Sequence, residues 1–156
     1  MVFSSLVFIF YFLPPVLLLY YAVPGKLIGL RNVILLLFSL FFYFYGEQRL
    51  IIVMLFSIAF NYLCGLLMSR GHKKLILTLC IAVNLAVLGV FKYSNLVITT
   101  TNAILRSELP LLSITLPIGI SFFTFQAMSY VIDVYRGEVP PQRSLPKLAL
   151  YVSLFP

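Results

Sequence analysis

The sequence predicts an all-α protein, a polytopic helical membrane protein, on three observations. Of its 156 residues 62% are hydrophobic and 10% charged, against roughly 25% charged in a soluble domain, and mean hydropathy is +1.09. The apolar residues come in runs long enough to cross about 30 Å of hydrocarbon, separated by turns rich in Gly, Pro and basic residues. The eleven Lys and Arg residues are shared unevenly between alternate turns. A water-soluble core of this size could not hide so much apolar surface. Spans are predicted near 4–23, 31–46, 50–69, 74–93, 117–135 and from 147 onward, five to six in all, forming a single transmembrane domain over 1–156 with no room for a soluble one.

The first run has no Lys or Arg before it and no small-residue cleavage site, so it is expected to be a retained span rather than a signal peptide. Pro14 and Pro15 remove two backbone donors and predict a kink, or a division into a short interfacial piece and a true crossing. Val23, Pro24 and Gly25 end it. The second run closes on the aromatic residues 41–45, rings that suit a membrane–water interface, so the turn at 46–49 marks a surface. The third and fourth runs flank the basic turn at 69–74 and predict a helical hairpin. Asn61 lies nine residues before Arg70 and Asn84 eleven after Lys73, so both reach similar depth on adjacent antiparallel helices. They fit a structural Asn–Asn hydrogen bond, or alternatively a substrate contact. Residues 95–113 are less apolar, with Thr99, Thr100, Thr101, Asn102, Arg106 and Glu108, and predict a short amphipathic helix in the interface.

The fifth run, 116–138, alone carries a dense polar stripe. Pro117 suits a first helical turn and Gly137 the left-handed position that closes a helix. At 100° per residue Gly119, Phe122, Gln126, Ser129, Tyr130 and Asp133 share one side. An amide, a hydroxyl, a phenol and a carboxyl on a spanning helix are costly unless they meet protein or water, so the stripe is expected to face inward. It fits two roles. It could line a polar substrate path, or Gln126 and Ser129 could bind a neighbouring helix while Asp133 pairs with Arg136 near the membrane surface.

Placing the N-terminus outside puts eight basic residues in the inner turns and three in the outer ones, the asymmetry that marks the cytoplasmic side of a plasma membrane. The net charge of +7 is therefore a topology signal and no nucleic-acid footprint, because the charges are scattered between spans; contact with membrane lipids is expected. Cys64 and Cys80 lack metal-ligand spacing and read as small buried hydrophobes. His72, the one histidine, falls in the basic turn as a solvated residue. No phosphate loop, zinc spacing or nucleophile elbow occurs, so no metal and no cofactor is expected.

Residues 116–138, LPIGISFFTFQAMSYVIDVYRGE, followed by LALYVSLFP at 148–156, resemble the membrane-bound O-acyltransferase family. The similarity is closest to its bacterial branch of alginate O-acetylation and lipoteichoic-acid D-alanylation proteins. The opening MVFSSLVFIFYFLPPVLLLYY, FYFYGE at 42–47 and VLGVFKYSN at 87–95 resemble that branch in the same order. The resemblance implies helices ringing a funnel and an acyl donor, thioester or carrier-bound, approaching from the cytoplasmic side. It also implies an intramembrane histidine that serves acyl transfer to a hydroxyl acceptor on an envelope polymer, with other envelope-modification proteins as partners. That histidine has no counterpart here, and His72 does not match it. The chain is expected to be the N-terminal portion of such an enzyme, a piece of a larger helical ring, truncated at its C-terminal end and inactive alone. Gln126, Ser129, Tyr130 and Asp133 are candidates for lining or bracing the tunnel, with no catalytic residue in the chain. The alternative is a non-enzymatic transporter or membrane partner with Pro-interrupted spans.

Overall fold

Pro14 and Pro15 have no N–H to give the carbonyls of Phe10 and Tyr11, and the helix that contains them must adjust. In the computed structural model, which describes residues 6–46, 51–69, 71–105 and 119–154, it does so with a π-helical turn over Phe8–Phe12, where the Leu13 N–H reaches back to the Phe8 carbonyl. Helix α1, Leu13–Ala22, follows without interruption and takes Pro14 in its first turn. The expected interruption at the two prolines thus takes the form of one widened turn, with no division of the helix, and such turns are among the places where helices kink.

A 3₁₀ turn, Gly25–Leu27, leads into α2, Ile28–Gly46. Arg31 ties the two helices together. Its guanidinium donates two bonds to the Val23 carbonyl at the end of α1, at 3.1 and 2.7 Å, and lies 4.9 Å from the centre of the Tyr20 ring. Phe8, Phe12 and Val16 bury against Phe42, with Phe8 and Phe42 edge to face at 5.2 Å.

Helix α3, Ile51–Met68, and helix α4, Lys73–Leu105, form the expected hairpin. The length of α4 differs from expectation. It continues unbroken through the polar stretch where the sequence predicts a separate interfacial helix, and its 33 residues span about 50 Å. No Gly or Pro interrupts 92–109, and the Thr99 and Thr100 hydroxyls each bond the carbonyl four residues back at 2.8 Å. The polar residues therefore satisfy themselves on their own helix without ending it. Residues 106–118, including Pro117, lie outside the described residues, as do Arg70 and the turn at 47–50.

Helix α5, Ile120–Arg136, starts after Gly119 in the left-handed region (φ 72°) and ends as the sequence predicts, at Gly137 (φ 78°). There the Gly137 N–H bonds the Val134 carbonyl and the Glu138 N–H the Asp133 carbonyl, satisfying acceptors the helix leaves open. A loop leads to α6, Leu145–Ser153. Every regular element among the described residues is helical. Three of these helices, covering Gly25–Gly46, Ile51–Met68 and Lys73–Ile104, are long and apolar enough to cross a membrane. At 17 residues α5 stands at the lower limit for a crossing, and α6 is shorter still. Helix α5 packs between α3 and α4, α6 lies on α2 and α3, and α1 lies outside on α2. The main core joins Met54, Ile58, Cys64 and Met68 of α3 to Cys80, Phe123, Val131 and Leu148.

Candidate functional site

The face of α5 that packs is not the face the polar stripe predicts. Ile120, Phe123, Thr124, Ala127, Tyr130, Val131 and Val134 are buried, whereas Phe122 is 59% exposed. Gln126, Ser129 and Asp133 lie between the two, half-buried. Of the stripe, Tyr130 alone faces the core. The reason is tertiary: α3 and α4 both approach the apolar side of α5, and the polar side meets only the short α6 and the loop before it.

That flank is a connected polar site. The Gln126 side-chain amide donates to the Tyr151 carbonyl of α6 at 2.6 Å. The Ser129 hydroxyl donates to the Gln126 carbonyl at 2.9 Å and lies 3.2 Å from the Tyr151 hydroxyl. One turn on, the Tyr130 phenol oxygen accepts the Gln142 backbone N–H at 2.9 Å, while the Tyr62 phenol of α3 donates to the Arg143 carbonyl at 2.8 Å. Two tyrosines from two helices thus hold the α5–α6 loop by its backbone. Tyr130 fits because residue 65 is a glycine: a Cβ there would stand 2.5 Å from the phenol oxygen and 3.0 Å from two ring carbons. Small residues at helix interfaces permit this kind of close approach.

Beneath the loop lies a cavity of about 250 Å³ lined by Tyr130, Asp133, Gln142, Lys147 and Tyr151, among others. It is open on one side and brings an acid and a base to one space. Asp133 does not pair with Arg136. Arg136 instead reaches Glu138 at 2.9 Å, with both side chains at least half exposed, an arrangement worth little in stability. No hydrogen bond or ion pair engages the Asp133 carboxyl among the described residues. Gln126 Oε1 and Thr124 Oγ1 are buried without partners there.

Asn61 and Asn84 face each other across the hairpin and exchange two bonds, at 3.1 and 3.0 Å, with exposures of 0% and 4%. Each also holds its own helix, Asn61 on the Ser57 carbonyl and Asn84 on the Cys80 carbonyl. The Cys80 thiol donates to the Asn61 side-chain oxygen at 3.1 Å, so this cysteine joins a polar node in addition to filling space. Cys64 is buried, as expected. No group of three metal-ligating side chains occurs among the described residues, and His72 stands exposed in the α3–α4 turn. Gly65, Gln142, Lys147 and Tyr151 are site residues that sequence reasoning misses. The spacing of Tyr62 and Gly65, three residues apart on one helix face, is the available signal.

Apolar spanning helices joined through buried amides and phenols define a multi-pass helical membrane protein. The chain is similar, over all or most of its length, to proteins named as probable O-acetylases and as an O-acetyltransferase. It is 42% identical to the probable alginate O-acetylase AlgI of Azotobacter vinelandii, with all of this chain aligned to 32% of that protein. It is 40% identical to the protein of the same name from Pseudomonas aeruginosa, across 31% of its length. It is 34% identical to the peptidoglycan O-acetyltransferase of Helicobacter pylori, with 87% of this chain aligned to 27% of that protein. These relatives agree with the resemblance to the membrane-bound O-acyltransferases. The chain spans about a third of their length. No family model matches it, and no solved structure does.

Proposed function

We propose that the chain is the N-terminal portion of an integral membrane O-acyltransferase that moves an acyl group, of acetyl or D-alanyl type, to a hydroxyl of a cell-envelope polysaccharide. What carries this reading is the similarity, over all of this chain, to relatives named alginate O-acetylases and, over 87% of it, to one named a peptidoglycan O-acetyltransferase. The acyl donor is a thioester or carrier-bound group, and other envelope-modification proteins are its partners. The chain's own residues supply scaffold and path. Gln126, Ser129 and Tyr130 brace α5 against α6 and the loop, and Asp133 faces the cavity that Lys147 shares. The general base for the acceptor hydroxyl, a histidine in this reading, is not in the chain, because His72 sits in an exposed turn; acid–base catalysis of this kind is worth about 10²- to 10⁴-fold.

The protein lies in the cytoplasmic membrane with its N-terminus outside, on the strength of the basic residues gathered at alternate turns. A cysteine placed at position 72 should be labelled by an impermeant thiol reagent only from the cytoplasmic side, and labelling only from outside would reverse the orientation. The activity is tested by deleting the gene and measuring ester-linked acyl groups released from envelope polymers by mild alkali. They should fall and return with the intact gene. Unchanged ester content would remove the assignment. The purified 156-residue chain is expected to show no transfer.

A further inference from the structure

The chain's two cysteines, which the proposed acyl transfer leaves unused, come together inside the α3–α4 hairpin. Cys64 lies eight residues before His72 and Cys80 eight after it, so in an antiparallel pair both sit at one level, about 12 Å from the turn. The amide pair fixes that register independently. Asn61 meets Asn84 through two bonds. Cys64 follows Asn61 by three residues and Cys80 precedes Asn84 by four, which sets both thiols on the contacting faces, one turn closer to His72. The two side chains meet there directly, with exposures of 3% and 0%. Asn61 and Asn84 hold the Cys80 sulfur between them, at 3.1 and 3.4 Å.

We propose that Cys64 and Cys80 are an oxidisable pair that closes into a disulfide between α3 and α4 on exposure to a peroxide. Their burial is already complete within the described helices, so it does not depend on the rest of a longer protein. That burial also selects the oxidant. A protein or glutathione disulfide is too large to reach these sulfurs, whereas hydrogen peroxide is small, uncharged and crosses bilayers. In the first step the O–O bond breaks as one oxygen passes to the Cys64 sulfur, giving a sulfenic acid and one water. The Cys80 sulfur then attacks that sulfur; the S–S bond forms, the S–O bond breaks, and the hydroxyl leaves with the Cys80 proton as a second water. The two sulfurs together give up two electrons, which reduce one peroxide to two waters. Loss of the thiol proton strands no polar group, because Asn61 Oδ1 keeps the Asn84 amide at 3.0 Å. Cα atoms of α3 and α4 come within 8 Å of each other along their interface and a disulfide needs roughly 4.4–6.8 Å, so a small approach of the helices suffices. The bond ties together the two helices between which α5 packs, and the seat of α5 thereby answers to oxidants.

The test treats membranes from cells making the intact protein with hydrogen peroxide, then denatures them in N-ethylmaleimide and digests with trypsin. Cleavage after Arg49, Arg70, Lys74 and Lys92 places Cys64 and Cys80 on separate peptides, 50–70 and 75–92. Mass spectrometry should find the two peptides joined after peroxide, free and alkylated without it, and free again after dithiothreitol. Moving one thiol off the interface, by Cys64→Ala with Leu67→Cys, should abolish the joined species, since residue 67 is 46% exposed. Cys80 in that variant should stay closed to maleimide before denaturation, which reports the fold as intact. Free peptides after peroxide in the wild type overturn the pair, as do sulfinic or sulfonic acids on either cysteine without joining. Equal joining in the Leu67→Cys variant overturns its geometric basis.

Discussion

Gly65→Ala tests how closely α3 and α5 meet. The added methyl would stand 2.5 Å from the Tyr130 phenol oxygen, where ordinary contact begins near 3.5 Å, so the phenol must retreat by about 1 Å. That retreat stretches its 2.9 Å bond to the Gln142 N–H beyond hydrogen-bond range. Overpacking of this kind costs about 1–3 kcal/mol and the lost bond about 0.5–1.5 kcal/mol, giving on the order of 2–4 kcal/mol together. Tyr130→Phe alone should cost about 1 kcal/mol through the bond. Because it removes the atom nearest the new methyl, Gly65→Ala should then cost less in the Tyr130→Phe background than in the wild type. Reversible unfolding in mixed micelles, followed by far-UV circular dichroism, gives all four stabilities. A coupling within the 0.3–0.5 kcal/mol scatter of independent sites would show that Gly65 and Tyr130 do not meet as described.

The Asn61→Ala and Asn84→Ala cycle should give a coupling of about 1 kcal/mol, from two interhelical bonds averaging about 0.6 kcal/mol each; strict additivity in the same unfolding assay would deny the contact. In the intact protein, Asp133→Asn and Gln126→Leu should each lower the proposed polymer acylation more than Phe125→Leu. The exposed Phe125 is the right control because Phe123 is buried, and equal effects at all three positions would deprive the polar flank of a role. Cys64 and Cys80 should resist maleimide in the folded protein and react after denaturation, and rapid labelling of either at the outset would contradict their burial.

Element boundaries are largely legible because they rest on local chemistry. Gly137 closes α5 since its φ of 78° suits glycine above other residues, and the apolar runs end near their turns. The Asn61–Asn84 contact is also legible, because a tight hairpin converts sequence distance into depth. The inward face of α5 is not. Phe122 and Phe123 are chemically alike, and only the arrival of α3 and α4 on one side decides which is buried. Polarity suggests that Gln126 and Asp133 point to the centre, but a short helix and a loop give them a half-buried flank. The length of α4 escapes the sequence for a related reason: lower hydropathy past Lys92 signals departure from lipid, and the backbone can leave the membrane without leaving the helix.

The amide pair across the hairpin also bears on how the chain is made. Before α4 arrives the Asn61 amide can donate to the Ser57 carbonyl of its own helix, but among the described residues its oxygen accepts only from Asn84 and Cys80 of α4. An unmet polar group in hydrocarbon is costly, so α3 is a poorer passenger for the membrane-insertion machinery while Asn61 waits for its partner. Asn84 emerges from the ribosome only 23 residues later, across a turn too short to hold the helices apart. The two helices are therefore best released into lipid as a matched pair. A flexible insert in that turn, harmless to the finished protein, would lengthen the wait and should show first as degraded nascent chains, with normal stability in the molecules that survive.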